Sequence, residues 1–286
     1  MERLLFKVAK KWVAGYNISD AIAAAHNSNA SGMQAILNFL GEDTTSEEIV
    51  NETVKEYSNL MDLLRVQKTD GCISVKPTQV GLAVDYDLCL RNFKELAKKA
   101  KSLGIFLWID MESIKFTENT ISIYLEIFKE YKETGVAIQA YLKRSASDLL
   151  HILEQPGGGG KVRLVKGAYH ENEEHAFTSR EDVNSNYSKL MKMLFEGASF
   201  FAIATHDSEL VEEAVRLSDK RKKADTDMEF EFQFLMGIRD ELKQSLVARK
   251  FKVSEYIPYG SQWLPYSVRR IRERKRNLLL LARSLV

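Results

Sequence analysis

The fold is most readily inferred from the sequence VRLVKGAY at residues 162–169, an apolar and β-branched run that ends at a glycine. Such a run predicts a buried strand followed by a tight turn. Because side chains alternate along a strand, Arg163 shares a face with Val165 and Gly167. A buried arginine is costly unless an anion meets it, so the pattern indicates an internal ion pair or an anionic ligand. Lys166 adds a second cation at the strand end, and the small residues after it leave a ligand room to approach the backbone.

Strands of this kind recur along the chain and alternate with helices. Apolar runs predict seven strands, at 72–77, 106–111, 136–141, 162–166, 200–207, 228–234 and 252–256. Helical spacing predicts helices at 85–103, 117–134, 145–154 and 184–195, a helix that follows residue 207 and ends at about 222, and helices at 238–248 and 261–276. A further helix is predicted from the capping residue Ser46 to about Gln67.

One apolar segment decides the number of strands. The periodicity of Ala35–Leu40 fits a buried strand or the end of a helix equally well. Strand–helix alternation implies parallel strands with covering helices, and this segment can supply an eighth strand. The sequence therefore predicts an α/β fold, a (βα)8 TIM barrel in preference to an open sheet. Helical patterns at 2–14 and 18–28 predict an N-terminal helical arm over 1–30, ahead of a barrel catalytic domain over 31–286.

Composition excludes several classes of protein. The chain has 286 residues, 45% of them hydrophobic, and a formal net charge of +1, which argues against a nucleic-acid-binding surface. Cys72 and Cys89 are too few for a disulfide framework, and with no second His or Cys at ligand spacing from His206 we predict no metal site. The first eleven residues lack the apolar core of a signal peptide, and no run approaches the ~20 apolar residues of a membrane span. A reducing, cytoplasmic setting fits best.

Polar side chains lie at the ends of most of the predicted strands. In a (βα)8 barrel the carboxyl ends of the strands meet at one face, where the chemistry takes place. Polar groups at so many of these positions are hard to reconcile with a purely structural barrel. They are Lys76, Asp110, Gln139, Lys166, Thr205, His206, Gln233 and Tyr256.

The last predicted helix carries a second basic element. Spacings of three and four place Tyr266 beside Arg269 and Arg270, and both arginines beside Glu273. Two guanidinium groups placed in this way can bind a carboxylate or a phosphate. The alternative is a solvated basic face, since four more cations follow over 272–276.

Taken together, these segments resemble the proline dehydrogenase family in its short, monofunctional form. The resemblance covers almost the whole chain beyond about residue 30, and the combination of motifs is highly specific. The matching motifs are FLGE (39–42), SVKP (74–77), the strand with Asp110, AIQAY (137–141), VRLVKGAY (162–169), ATHD (204–207), EFEFQFLMG (229–237), YIPYG (256–260) and PYSVRRIRER (265–274).

The resemblance implies an FAD enzyme that oxidises L-proline to Δ1-pyrroline-5-carboxylate by hydride transfer to flavin N5. It implies a quinone as electron acceptor, peripheral contact with the inner face of the cell membrane, and a pyrroline-5-carboxylate dehydrogenase on a separate chain. It further implies a distorted barrel whose last helix lies over the mouth. The basic run 272–276 with the leucines at 278–281 is a candidate membrane contact, or else a docked tail.

The family's functional residues match positions of this sequence. Arg163 matches the arginine beside flavin N5, and Asp110 a catalytic pocket residue. Residues that match FAD contacts are Met111, Gln139, Arg163, Lys166, Gly167, Ala168, Thr205 and His206. Residues that match the substrate pocket are Lys76, Leu164, Tyr169, Tyr256, Tyr266, Arg269, Arg270 and Glu273. His170 departs from the tryptophan of some members, so the adenine contact has no assignment.

Two other classes of protein are compatible with a barrel of this kind. A Schiff-base aldolase would also place a lysine, Lys76 or Lys166, at a strand end. A non-catalytic barrel could act as a binding module. The absorption spectrum of the purified protein separates the three, because only the flavin enzyme is yellow.

Overall fold

The structure is a computed structural model that describes residues 9–156, 159–222 and 229–268. Eight parallel strands pair in sequence order and close into a barrel. The strands are β1 (Gln34–Phe39), β2 (Gly71–Val75), β3 (Leu107–Ile109), β4 (Thr134–Gln139), β5 (Lys161–Val165), β6 (Phe200–Ala204), β7 (Glu229–Leu235) and β8 (Val253–Tyr259). The helices are α1 (Ile18–Ala30), α2 (Glu47–Val66), α3 (Tyr86–Leu103), α4 (Ile114–Glu130), α5 (Ser145–Leu153), α6 (Arg180–Gly197), α7 (Ser208–Lys222) and α8 (Asp240–Ala248). The predicted (βα)8 barrel is confirmed.

The ambiguous segment at 35–40 is a strand. Ile36 of β1 lies in register with Cys72 of β2 on one side and with Tyr256 of β8 on the other. A helix end in this place would leave both neighbouring strands with unpaired edges. Barrel closure therefore decides what local periodicity could not.

Side chains of the strands alternate between the barrel interior and the helix layer. On β7, Phe230 and Phe232 face outwards and pack with Phe251, while Glu231 and Gln233 between them face inwards. The face of β7 that lines the barrel interior is thus polar. The aromatic face of β7 packs in the core between the strands and the helices.

Several predicted boundaries differ from the structure. The helix predicted at 117–134 is α4, which begins at Ile114 and ends at Glu130, and Thr134 already belongs to β4. The strand predicted at 252–256 continues to Tyr259, because β1 pairs with it along its whole length. The predicted cap is confirmed, since the Ser46 side chain accepts a hydrogen bond from the Ile49 N–H at the start of α2.

The N-terminal region is attached to the barrel wall. Helix α1 packs against β1 and β8, and Ala21, Ile22 and Ala25 are buried in the main core. The Ala14 N–H donates to the Pro258 carbonyl at 2.9 Å. The boundary at residue 30 between an arm and a catalytic domain stays a prediction.

A helix that begins at residue 263 follows β8. Trp263 and Tyr266 pack with Trp12, Val13 and Leu40 in a second hydrophobic cluster, which also contains Ala9. Leu40 follows the last residue of β1, so this cluster lies at the carboxyl-terminal mouth of the barrel. The start of the last helix is therefore at the mouth, as predicted, and its residues from 269 onwards lie outside the described part of the chain.

Candidate active site

Arg163 lies inside the barrel, midway along β5, and is 4% exposed. Its neighbours in register are Ala137 on β4 and Ala202 on β6, whose small side chains leave room for the guanidinium group. The guanidinium carbon lies 4.5 Å from the centre of the Trp108 ring. The sequence left open whether this cation meets a protein carboxylate or a ligand, and the structure supplies a carboxylate.

That carboxylate is Asp110, which follows β3. Arg163 Nη1 donates to Asp110 Oδ1 at 2.6 Å. Ser74 Oγ donates to the same oxygen at 2.7 Å, and Tyr256 Oη donates to Oδ2 at 2.7 Å. Three of the predicted site residues, Asp110, Arg163 and Tyr256, are thus brought together from three strands.

A second carboxylate lies behind Arg163. Arg163 Nε donates to Gln233 Oε1 at 2.5 Å, and the Gln233 amide donates in turn to Glu231. Burial raises the pKa of Glu231 above the usual range of a glutamate, against the opposing effects of Gln233, Ser254 and Arg163. Glu231 and Ser254 were not among the predicted site residues. The alternation EFEFQF contained the signal, but the sequence does not say which face of β7 is interior.

Two buried polar atoms in this region have no hydrogen-bond partner among the described residues: Arg163 Nη2 and Gln139 Oε1. Gln139 is the last residue of β4, and its Nε2 donates to the Met111 carbonyl at 3.5 Å. A buried donor and a buried acceptor left unpaired cost about 1–3 kcal/mol each. Such groups are expected where a ligand completes the hydrogen bonding.

Lys76, Glu42 and Glu112 form a charged cluster after β2, β1 and β3 respectively. Lys76 Nζ lies 3.8 Å from Glu42 Oε2, and Tyr169 Oη donates to that oxygen at 3.1 Å. Glu112 accepts hydrogen bonds from the Thr78 N–H and hydroxyl at 2.9 and 2.7 Å. Burial raises the pKa of Glu112 to about 7, although the charge of Lys76 and the Thr78 donors act to lower it. Glu42 and Glu112 were not predicted as site residues.

Lys166 belongs to a separate polar cluster outside the ring of strands. Its Nζ donates to Asn184 Oδ1 and to Asp207 Oδ2, both at 2.7 Å, and Arg180 reaches the same aspartate oxygen at 3.2 Å. Burial alone would raise the pKa of Asp207, but Lys166 and Arg180 lower it to about 2. Lys166 Nζ is therefore engaged by an amide oxygen and a carboxylate, which does not favour its use as a Schiff-base nucleophile.

His206 and Thr205 follow β6 at the same face. The Leu235 N–H donates to His206 Nε2 at 3.0 Å, so the neutral imidazole carries its proton on Nδ1. The Thr205 hydroxyl accepts from the Asp207 N–H at 3.2 Å. Sequence reasoning placed both residues at the mouth but could not give the tautomer.

Gly167 and Ala168 form the turn after β5. Gly167 has φ +109°, and a Cβ at this position would collide with the ring of Tyr141. Glycine is therefore required here by both backbone conformation and space. Ala168, by contrast, is exposed.

The remaining predicted site residues are Leu164, Tyr266, Arg269, Arg270 and Glu273. Leu164 is buried in the helix layer, because it lies on the face of β5 opposite Arg163, and its carbonyl accepts a hydrogen bond from Tyr187. The role of Leu164 as a pocket wall stays a prediction. Tyr266 is buried in the cluster at the mouth. Arg269, Arg270 and Glu273 lie outside the described residues.

Among the described residues, no group of three His, Cys, Asp or Glu side chains could hold a metal ion. None of the helices in that part of the chain has the length and apolar character needed to span a bilayer.

A family model described as proline dehydrogenase matches residues 21–282. Proline dehydrogenase 1 of Bacillus subtilis subsp. natto is 31% identical over 278 residues, which cover 97% of this chain and 90% of the relative. Proline dehydrogenase of Deinococcus radiodurans is 30% identical over 291 residues, which cover 99% and 91%.

Solved structures support the fold. The crystal structure of proline utilization A from Bdellovibrio bacteriovorus, inactivated by N-propargylglycine, aligns with a TM-score of 0.87 and 23% identity. The alignment covers 94% of this chain and 33% of that protein, so the present chain corresponds to about a third of the larger one.

Proposed function

Because the chain belongs to the proline dehydrogenase family, we propose that it uses FAD to oxidise L-proline to Δ1-pyrroline-5-carboxylate and passes the electrons to a quinone. The oxidation of proline is the first step of its catabolism to glutamate. The product would go to a pyrroline-5-carboxylate dehydrogenase on a separate chain. The observation that carries the proposal is the pair of unpaired buried atoms, Arg163 Nη2 inside the barrel and Gln139 Oε1 at the end of β4.

The described residues fit a flavin. An isoalloxazine ring presents both hydrogen-bond acceptors and one N–H donor on its polar edge, which complements an unpaired guanidinium N–H and an unpaired amide oxygen. Gly167 gives the turn after β5 a positive φ, and its missing Cβ leaves room for the ring of Tyr141. Lys166 precedes this turn, Thr205 and His206 follow the neighbouring strand β6, and by the family resemblance all three would supply polar groups for the rest of the cofactor.

When bound, the flavin supplies a two-electron acceptor for the hydride on the carbon next to the substrate nitrogen. The protein supplies charge and orientation. Arg163 holds a fixed positive charge in a buried site, where it stabilises negative charge more strongly than it could in water. Asp110, Ser74 and Gln233 hold the guanidinium in place through three hydrogen bonds, and Ser74 also donates to Asp110.

The substrate pocket would form between these strands and the last helix. Tyr256, fixed by its hydrogen bond to Asp110, and Tyr169, bonded to Glu42, are suited to line it. By the family resemblance, Arg269 and Arg270 would bind the proline carboxylate and Glu273 would support them. Hydride loss requires a neutral amine, because the nitrogen electrons assist cleavage of the C–H bond.

The absorption spectrum of the purified protein tests this proposal. We expect flavin bands that acid releases into the supernatant and that L-proline bleaches under anaerobic conditions. A colourless protein that also fails to bind added FAD would contradict the proposal, and borohydride trapping of a carbonyl substrate would favour an aldolase instead.

Arg163→Met provides a sharper test of the site. The variant should reduce its flavin with proline more slowly. The activation free energy should rise by about 2.7–4 kcal/mol, the usual effect of losing one electrostatic donor. Lys161→Met is the matched control, because Lys161 is a cation two residues earlier on the same strand and face and pairs with Glu133. Equal stopped-flow rates in the two variants would make the role of Arg163 structural.

The electron acceptor and the membrane contact rest on the family resemblance alone. The enzyme is expected at the inner face of the cytoplasmic membrane, where a quinone is available. Activity with a soluble dye and with a quinone in anionic vesicles, measured side by side, separates these proposals from the oxidation of proline itself.

A further inference from the structure

Glu231 is a buried carboxylate that the mechanism above does not use. It lies inside the barrel on β7 and is 6% exposed. Ser254 Oγ on β8 donates to its Oε2 at 2.7 Å, and the Gln233 amide donates to its Oε1. No charged group is paired directly with Glu231 among the described ion pairs.

The hydrogen bonds run in one direction from Arg163 to Glu231. A carboxylate can only accept, so Glu231 requires the NH2 group of Gln233 to point towards it. The amide oxygen of Gln233 must then face the other way, where it accepts from Arg163 Nε at 2.5 Å. With Nε bound to Gln233 and Nη1 bound to Asp110, the unpaired Nη2 has a single defined position.

We propose that Glu231 is a positioning residue for Arg163: it orients the Gln233 amide and thereby fixes the guanidinium group, and its negative charge lowers the reduction potential of the bound flavin. The inference rests on the proposed function for its second part only. The charges give the direction. Arg163 contributes one positive charge, and Asp110 and Glu231 one negative charge each, so the described group has a net charge of −1 when all three are ionised.

Glu255 offers a matched control. It is also a buried glutamate of the barrel wall, on the neighbouring strand β8. It points into the helix layer, where it pairs with Lys243, which also pairs with Asp240 at 2.5 Å. Replacing it by glutamine removes the same charge from the same wall without touching the interior.

Three variants separate orientation from charge: Glu231→Gln, Glu231→Leu and Glu255→Gln. Glutamine at 231 still offers an oxygen to the Gln233 amide but carries no charge, whereas leucine offers neither. The first readout is the NMR resonance of the Arg163 Nε–H in the protein without flavin, assigned with Arg163→Lys. The second is the flavin reduction potential, measured at mildly alkaline pH, which favours the ionised carboxylate.

We expect the Arg163 Nε–H resonance to be retained in Glu231→Gln and to move or broaden in Glu231→Leu. We expect the potential of Glu231→Gln to rise by at least a tenfold change in the reduction equilibrium, about 30 mV for a two-electron couple. Glu255→Gln should change neither. A resonance that stays in place in Glu231→Leu, or a potential for Glu231→Gln equal to that of Glu255→Gln, would overturn the proposal. Failure to bind flavin would refute the proposed function instead, and the NMR arm would still decide the orientation.

Discussion

At Glu112, burial and hydrogen bonding act on one carboxyl group in opposite directions. Burial is the larger effect and raises its pKa, so the folded protein carries a carboxyl group that titrates near neutrality. Thr78 donates to both of its oxygens, which fixes the group beside the Lys76 and Glu42 pair. Ionisation of Glu112 at higher pH therefore destabilises the folded protein.

The stability of a Glu112→Gln variant should therefore depend on pH in a defined direction. The pKa rises from 4.5 in the unfolded chain to about 7 in the folded one, so the favourable contribution is complete below pH 4.5 and is lost as the pH rises through about 7. The variant cannot form the charge, although it loses one acceptor for Thr78 at every pH. Relative to the unaltered chain it should gain up to roughly 3 kcal/mol across this range. Urea unfolding at several pH values measures this, and a difference that is constant with pH would contradict it.

Single residues of the site could be predicted where they break a local pattern. Arg163 was identified because a cation stands in an apolar strand. Its partners Ser74, Asp110 and Gln233 are 89, 53 and 70 residues away in the sequence, and no local pattern links them to it. Glu231 alternates with phenylalanines, but only the closed barrel shows that the charged face of β7 is interior.

At the scale of elements, the first and last described segments depend on each other. Trp12 Nε1 donates to Ser267 Oγ at 3.0 Å within the cluster at the mouth. This bond joins a residue before α1 to the helix that, by family resemblance, carries the substrate arginines. Helical spacing predicted a helix at 2–14 and another at 261–276. It could not predict this contact, because the contact links residues far apart in the sequence. The predicted end of α4 was wrong for a related reason: Thr134 pairs with Leu107 of β3, which takes it into the sheet.

A double-mutant cycle on this contact tests the coupling of the two segments. Trp12→Phe keeps an aromatic ring and Ser267→Ala keeps the backbone, and each removes the hydrogen bond. We expect a coupling energy of about 0.5–1.5 kcal/mol in unfolding, the usual net value of a neutral hydrogen bond. The KM for proline should rise in both variants, with a smaller change in flavin affinity. Additive effects on stability and an unchanged KM would mean that the last helix is positioned by other contacts.

For the molecule as a whole, the open question is whether residues 1–30 are an arm or a part of the barrel. The sequence predicted an arm because the strand–helix rhythm begins after it. The structure shows that the Gly260 N–H donates to the Gly15 carbonyl at 2.9 Å, so the segment before α1 is bonded to the chain just beyond β8. Helix α1 also covers β1 and β8, the two strands at which the barrel closes.

Removal of residues 1–30 should therefore destabilise the entire barrel. Burial of Ile22 alone is worth about 1.5–3 kcal/mol, and Ala21 and Ala25 are fully buried beside it. Because a domain is stabilised by only about 5–15 kcal/mol in total, the shortened chain should unfold at a much lower temperature or fail to fold. Deletion of residues 1–8 is the control, since it leaves each of these contacts in place. If 31–286 instead unfolds at the same temperature as the full chain and binds flavin with the same affinity, the N-terminal region is a separable arm, as the sequence pattern predicts.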